Sequence, residues 1–151
     1  MTLRVGDKAP DFELRDQYGA VVRLSTLLHE KPVVLFFYPK DGSPVCTREA
    51  CAFRDAHEEF ISAGAEVLGI SIDGAESHEA FSKKHALPYR LLSDEKKEVL
   101  ALYQIKMMLG FMPERVTFVI GKDGIIRHVY NALLRGAKHT EEALAALHKL
   151  A

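Results

Sequence analysis

At 151 residues, 48% of them hydrophobic, the chain has the size of one compact domain, residues 1–151, with enough apolar material for a sizeable core. Lys and Arg number 20 against 21 Asp and Glu, a formal net charge of -1, so bulk charge offers no attraction to nucleic acid or to an anionic membrane. The start, MTLRVGDKAPDF, meets an acidic residue and a proline before any apolar run long enough for a signal peptide, and no stretch of about 18 apolar residues follows, so a cytoplasmic protein is the expectation.

In chain order, Val33-Val34-Leu35-Phe36-Phe37-Tyr38 lies between Pro32 and Pro39 and reads as a strand buried on both faces, the central one. Helical periodicity follows Cys46, with Ala50, Phe53, Phe60 and Ile61 on one face. Glu66 to Ile72 reads as a second strand. Phe81 with Leu87, and then Val99, Leu100, Leu102 and Tyr103, mark two more helices. Met107, Met108, Leu109, Phe111 and Met112 form an apolar loop, expected to pack in the core, with lining the entrance to a site for an apolar group as the other reading. Val116 to Ile120 and Ile125 to Tyr130 are strands joined by Gly121-Lys122-Asp123-Gly124, which has hairpin turn chemistry. The last helix is expected from Thr140 as N-cap, with Glu141 and Glu142 in its first turn and Leu144, Leu147 and Leu150 as its apolar stripe. Strand, helix, strand, helix, helix, hairpin, helix predicts an α/β thioredoxin-like fold: a central mixed sheet flanked by helices, parallel first and antiparallel last.

Chemistry centres on the two cysteines, too few for a secreted disulfide scaffold. Ser43 followed by Pro44 is a helix start, a serine N-cap with proline at N1, which places Cys46 at N3. Unpaired N–H groups and the positive end of the helix dipole favour an anion there, and a thiolate is the nucleophile that peroxide reduction needs. Ser43 and the N–H groups around Val45 and Cys46 are candidate donors to the departing oxygen. Cys51 lies five residues on. In a regular helix that spacing separates the two Cα atoms by roughly 8.6 Å and turns them about 140° apart, whereas a disulfide needs less than about 7 Å. A bond between the two therefore requires the helix start to unwind. Local physics alone leaves Cys51 equally readable as a small buried hydrophobe beside Ala50 and Phe53. The seven histidines lack ligand spacing for zinc; a Cys/His hydrolase fits the composition, but nothing near Cys46 marks a base. His57, His78, His85, His139 and His148 read as surface or boundary residues.

The segment Pro39-x-x-x-Ser43-x-x-Cys46 resembles the peroxiredoxin active-site pattern, and Tyr38 to Asp55 is similar to the bacterioferritin-comigratory-protein or PrxQ branch, as are Gly6 to Phe12 and Arg115 to Ile120. The resemblance implies a thiol peroxidase for hydrogen peroxide and alkyl hydroperoxides, with Cys46 peroxidatic and Cys51 resolving by an intramolecular disulfide. It implies roles for Arg115 in holding the thiolate and polarising the peroxide, Ser43 as hydroxyl donor, Pro39 as shield and Glu49 as the carboxylate orienting the arginine. Alone, Arg115 would read as a solvated charge. The resemblance further implies thioredoxin or a glutaredoxin-like dithiol as electron donor, a monomer or weak homodimer, and no bound cofactor. Ser43 stands for the commoner threonine, keeping the hydroxyl but losing a methyl that fixes its rotamer, and Val45 stands for the usual glycine, keeping the N–H donor and expected to stiffen or crowd the turn. The competing readings are a disulfide reductase, which usually carries Cys-x-x-Cys, and a non-enzymatic redox sensor.

Overall fold

β3 (Val33–Phe37) lies at the heart of a seven-stranded sheet because its five residues are all apolar and all buried. The structure, a computed structural model, describes residues 2–110 and 112–150. β3 is parallel to β4 (Glu66–Ser71) and antiparallel to β8 (Val116–Ile120), pairing Leu35 with Leu68 on one side and with Phe118 on the other. β5 (Arg90–Ser93) continues the parallel half beyond β4, and β9 (Ile126–Asn131) closes the antiparallel half beyond β8. A hairpin of β1 (Glu13–Arg15) and β2 (Val21–Arg23) completes the order β2-β1-β5-β4-β3-β8-β9. The sheet is mixed and helix-covered, as the element order predicts. The β1–β2 hairpin and β5 are additions to it, as is α1 (Leu24–Leu28).

The two-residue period of β3 divides the core. Val33, Leu35 and Phe37 face one way, onto α1 and α5 (Glu98–Leu102) with Tyr103 beyond it. Val34, Phe36 and Tyr38 face the other, onto α2 (Pro44–Asp55), α3 (His57–Ser62), α4 (Ala75–His85) and α6 (Gly136–Leu150). Cys46 is on this second face. Gly69 of β4 shows how closely that face is packed: a Cβ there would lie 2.9 Å from the Phe36 ring and from Leu91. With no Cβ in the way, Phe36 stacks on Phe53 of α2 at 4.4 Å between ring centres, which seats the Cys46 helix on the central strand.

Several expectations need correction. The helix after Cys46 breaks at Ala56, so Phe60 belongs to α3 and Ile61 is exposed. Leu102 and Leu150 are likewise exposed rather than part of an apolar stripe. α6 starts at Gly136, four residues before Thr140, which lies inside the helix and is buried. Its buried stripe runs Gly136, His139, Thr140, Ala143 and Leu147, a three-four spacing that turns the first helical turn inward. The apolar loop folds as a small antiparallel pair, β6 (Met107–Met108) with β7 (Met112–Pro113); Phe111 lies outside the described residues. No helix among the described residues is long and apolar enough to cross a membrane.

Candidate active site

The loop from β3 to α2 delivers Cys46. Gly42, at φ +81, makes the turn that the chain needs before the helix. Ser43 then takes an extended N-cap conformation and Pro44 opens the helix. The serine caps through its backbone: Thr47 N–H donates to the Ser43 carbonyl at 2.8 Å, while the Ser43 hydroxyl donates back to the Lys40 carbonyl at 3.3 Å. The hydroxyl thus points into the loop rather than to the sulfur. Val45 is absent from the residues with positive φ, so the helix asks for no glycine at this position.

Asp41 anchors the loop. Its N–H donates to Asp73 at 2.8 Å, its carboxylate accepts from Tyr38 at 2.6 Å and Ser77 at 2.8 Å, and His78 Nδ1 lies 2.7 Å from Oδ2. His78 Nε2 donates to the Leu92 carbonyl at 3.0 Å, so this histidine, fully buried, ties the loop to α4 and β5. Pro39, next to Tyr38, is buried at the same turn.

The Cys46 side chain is 1% exposed and meets Arg115, itself 2% exposed at the start of β8. The guanidinium is used on three sides: Nε donates to the Leu133 carbonyl at 2.7 Å, Nη1 to Glu49 Oε1 at 2.5 Å, and Nη2 to Cys46 Sγ at 3.2 Å. Two of those bonds fix the fork so that the third aims at the sulfur. Glu49 follows Cys46 by three residues and so projects from the same side of α2. It is fully buried, and burial pushes its carboxyl up to about 8 even though Arg115 pulls the other way. Chain distance hides this cluster, since residues 46 and 49 come from α2 and residue 115 from the start of β8, which pairs with β3 beside the turn into that helix.

Two residues that sequence reading left aside complete it. His139, fully buried in α6, donates Nε2–H to the Ala132 carbonyl at 2.8 Å and accepts the Thr117 hydroxyl on Nδ1 at 2.7 Å. That pattern fits a neutral imidazole, and burial pushes its pKa down to about 4. Its Nδ1 is 3.5 Å from Glu49 Oε2. Tyr89 donates its hydroxyl to the Ala50 carbonyl at 2.7 Å, holding the α2 backbone between the two cysteines. A helix started at Gly136 puts His139 on the buried stripe, which is the signal that would have found it. His78 and His139 are therefore core residues, whereas His57 and His85 are half-buried and His148 is exposed.

Gly136 brings α6 against α2. A Cβ there would stand 2.8 Å from the Val45 carbonyl oxygen and 3.0 Å from the Glu49 nitrogen. Cys51 lies in the same unbroken helix as Cys46, half-buried, and both thiols are free. The helix must open for them to bond.

Fold and site together define a thiol peroxidase of thioredoxin-like build. The AhpC/TSA family model matches residues 5–129. The chain is 47% identical over 146 residues to the chloroplastic peroxiredoxin Q of Sedum lineare, covering 96% of this chain and 78% of that one. The chloroplastic peroxiredoxin Q of Oryza sativa subsp. japonica is also 47% identical, with 96% and 67% covered. Among solved structures, the peroxidoxin BcpB of Mycobacterium tuberculosis superposes with a TM-score of 0.93 at 39% identity, covering 99% of each chain. A bacterioferritin comigratory protein of Xanthomonas campestris, studied for its alkyl peroxide reduction activity, superposes at 0.81 with 30% identity and 92% and 91% covered. The chain belongs to the AhpC/TSA family and is a peroxiredoxin.

Proposed function

We propose that the enzyme reduces hydrogen peroxide and alkyl hydroperoxides with Cys46 as attacking thiolate and Cys51 as resolving thiol. The observation that carries this is the Arg115 Nη2 to Cys46 Sγ contact of 3.2 Å in the first turn of α2. A guanidinium on the sulfur favours its anion and lies where the reacting oxygen would arrive. The thiolate attacks one peroxide oxygen, the O–O bond breaks, and the departing oxygen takes a proton, leaving Cys46 as a sulfenic acid. Cys51 then displaces water from that sulfur and closes the disulfide. Burial of Cys46 suits a small hydroperoxide head, and sulfenic-acid resolution needs the first turns of α2 to unwind.

Thioredoxin or a similar dithiol is the electron donor in this reading, acting on a monomer or weak homodimer in a reducing compartment, the cytoplasm. Ser43, Pro39 and Glu49 serve Cys46 indirectly: Pro39 and Ser43 shape the loop, and Glu49 orients Arg115. The test is NADPH consumption with thioredoxin and its reductase, with and without peroxide. Peroxide-dependent turnover in the wild type that vanishes in Cys46→Ser supports the reading; no peroxide-dependent turnover with any dithiol donor overturns it.

A further inference from the structure

The site holds two acids and one cation. Cys46 and Glu49 are both buried and both converge on the Arg115 guanidinium, the sulfur on Nη2 and the carboxyl on Nη1. Among the described residues, Arg115 is the one charged group acting on Glu49, and the groups packed nearby add no second positive charge. His139, from α6, is satisfied as a neutral imidazole by Thr117 and Ala132; Glu142 of α6 and Tyr89 before β5 are neutral or negative; and Tyr130 of β9 presents its ring to His139 at 4.7 Å. Two full anions here would leave one charge buried without a counterion, an arrangement that burial penalises heavily. Glu49 Oε2 adds a second sign. It is buried with no hydrogen-bond partner among the described residues, a position that a neutral acid tolerates far better than an anionic oxygen.

We propose that Cys46 and Glu49 carry a single negative charge between them: Glu49 holds the proton while Cys46 is a thiolate, and gives it up when the sulfur is oxidised. This rests on the reading of Cys46 as the peroxidatic thiol. The step balances. Thiolate, hydroperoxide and the Glu49 carboxylic acid become sulfenic acid, alcohol or water, and the Glu49 carboxylate; sulfur loses two electrons, the O–O bond takes them, and the departing oxygen gains the proton. With the thiolate consumed, Arg115 is left to Glu49 alone, and their ion pair stabilises the new carboxylate. The cycle also closes. When a dithiol reduces the Cys46–Cys51 disulfide it supplies two protons, one of which stays on Cys51 while the other passes from the Cys46 thiol to Glu49. Glu49 thus has two parts in this scheme: it is the source of the proton and, through its bond to Arg115, it positions the guanidinium.

The test is infrared difference spectroscopy on Cys51→Ser, in which oxidation stops at the sulfenic acid, combined with proton uptake read by a pH indicator in weak buffer. At neutral pH ordinary carboxyls are already ionised, so a carboxylic-acid C=O stretch in the reduced protein marks a buried acid. One equivalent of hydrogen peroxide should abolish that band, raise a carboxylate band and draw no proton from solution. Cys51→Ser combined with Glu49→Gln should lack the band and take up about one proton per sulfur oxidised. The infrared result needs no Glu49 variant to fold. A carboxylic-acid band unchanged by oxidation, or equal proton uptake with and without Glu49, overturns the proposal. Mass spectrometry of the same samples separates the two ways of failing: no oxygen gained on Cys46 defeats the peroxidase reading itself, whereas oxygen gained with an unmoved band defeats only the shared charge.

Discussion

Cys46 and Cys51 share one helix yet live in opposite settings. Cys46 lies on the stripe of Ala50 and Phe53, pressed on the sheet, with Arg115 on its sulfur. Cys51, turned about 140° away by the helical rotation, is half-buried and makes no side-chain hydrogen bond among the described residues. The difference teaches that packing, and not proximity in sequence, sets the surroundings of each thiol, and the proposed division of labour rests on that. One thiol meets a guanidinium, and the other lies half-buried on another face of the same helix.

The strongest way to break this comparison is to exchange the thiols for hydroxyls. Cys46→Ser should abolish peroxide-dependent turnover, while Cys51→Ser should still take one oxygen on Cys46 but fail to close a disulfide, as mass spectrometry would read. Equal effects of the two changes would show that the environments do not divide the labour. Arg115→Gln removes the donor to the sulfur and should lower kcat/KM for peroxide by about 10²–10³-fold, as loss of a donor to developing charge does elsewhere; rapid-mixing kinetics would measure it, and a loss below tenfold would detach Arg115 from the chemistry.

Smaller changes sharpen the comparison by acting on the helix between the thiols. Gly136→Ala forces a methyl against the Val45 carbonyl and the Glu49 nitrogen, backbone atoms that have little freedom to give way, and should cost about 1–3 kcal/mol in denaturant unfolding. Tyr89→Phe deletes the bond to the Ala50 carbonyl and should cost about 1 kcal/mol. It should also speed Cys46–Cys51 closure relative to peroxide attack; a slower closure would mean that Tyr89 does not hold the helix shut.

The last effects are in pH dependence. The Glu49 carboxyl is raised to about 8 in the folded protein, mainly by burial, so the folded state binds the extra proton above the ordinary carboxyl range. Its contribution is present at low pH and is lost as pH rises toward the folded value, and Glu49→Gln should flatten that decline. His139, lowered to about 4, works in the opposite sense: its contribution is present above the ordinary histidine value of about 6.5 and is lost as pH falls toward 4. Thermal unfolding between these limits, with Glu49→Gln and His139→Gln, would show both slopes.

The central strands and the Cys46 helix start are legible in the sequence because β3 is an uninterrupted apolar run, β8 is apolar but for Thr117, and Ser43-Pro44 is a strong local signal. β1 and β5 are three and four residues long, too short for a periodic pattern, and owe their pairing to neighbours in the sheet. α6 is read from Thr140 because Thr-Glu-Glu imitates a helix start, while its true beginning at Gly136 is set by close contact with α2. That four-residue difference hid His139. Arg115 looks solvated locally, and only the peroxiredoxin-like motif singles it out; its partners are Cys46 and Glu49 of α2 and the Leu133 carbonyl, all far from it in sequence or across a strand. In the folded helix Val45 takes no left-handed conformation, and its effect on unwinding is read from turnover in Val45→Gly.

Amide hydrogen exchange in the dithiol and disulfide forms tests the central claim most directly. The account predicts that residues 44–51 are protected in the reduced protein and lose that protection on oxidation, while β3 and β8 stay protected in both. A Cys46–Cys51 disulfide that forms with the protection of residues 44–51 unchanged would contradict it.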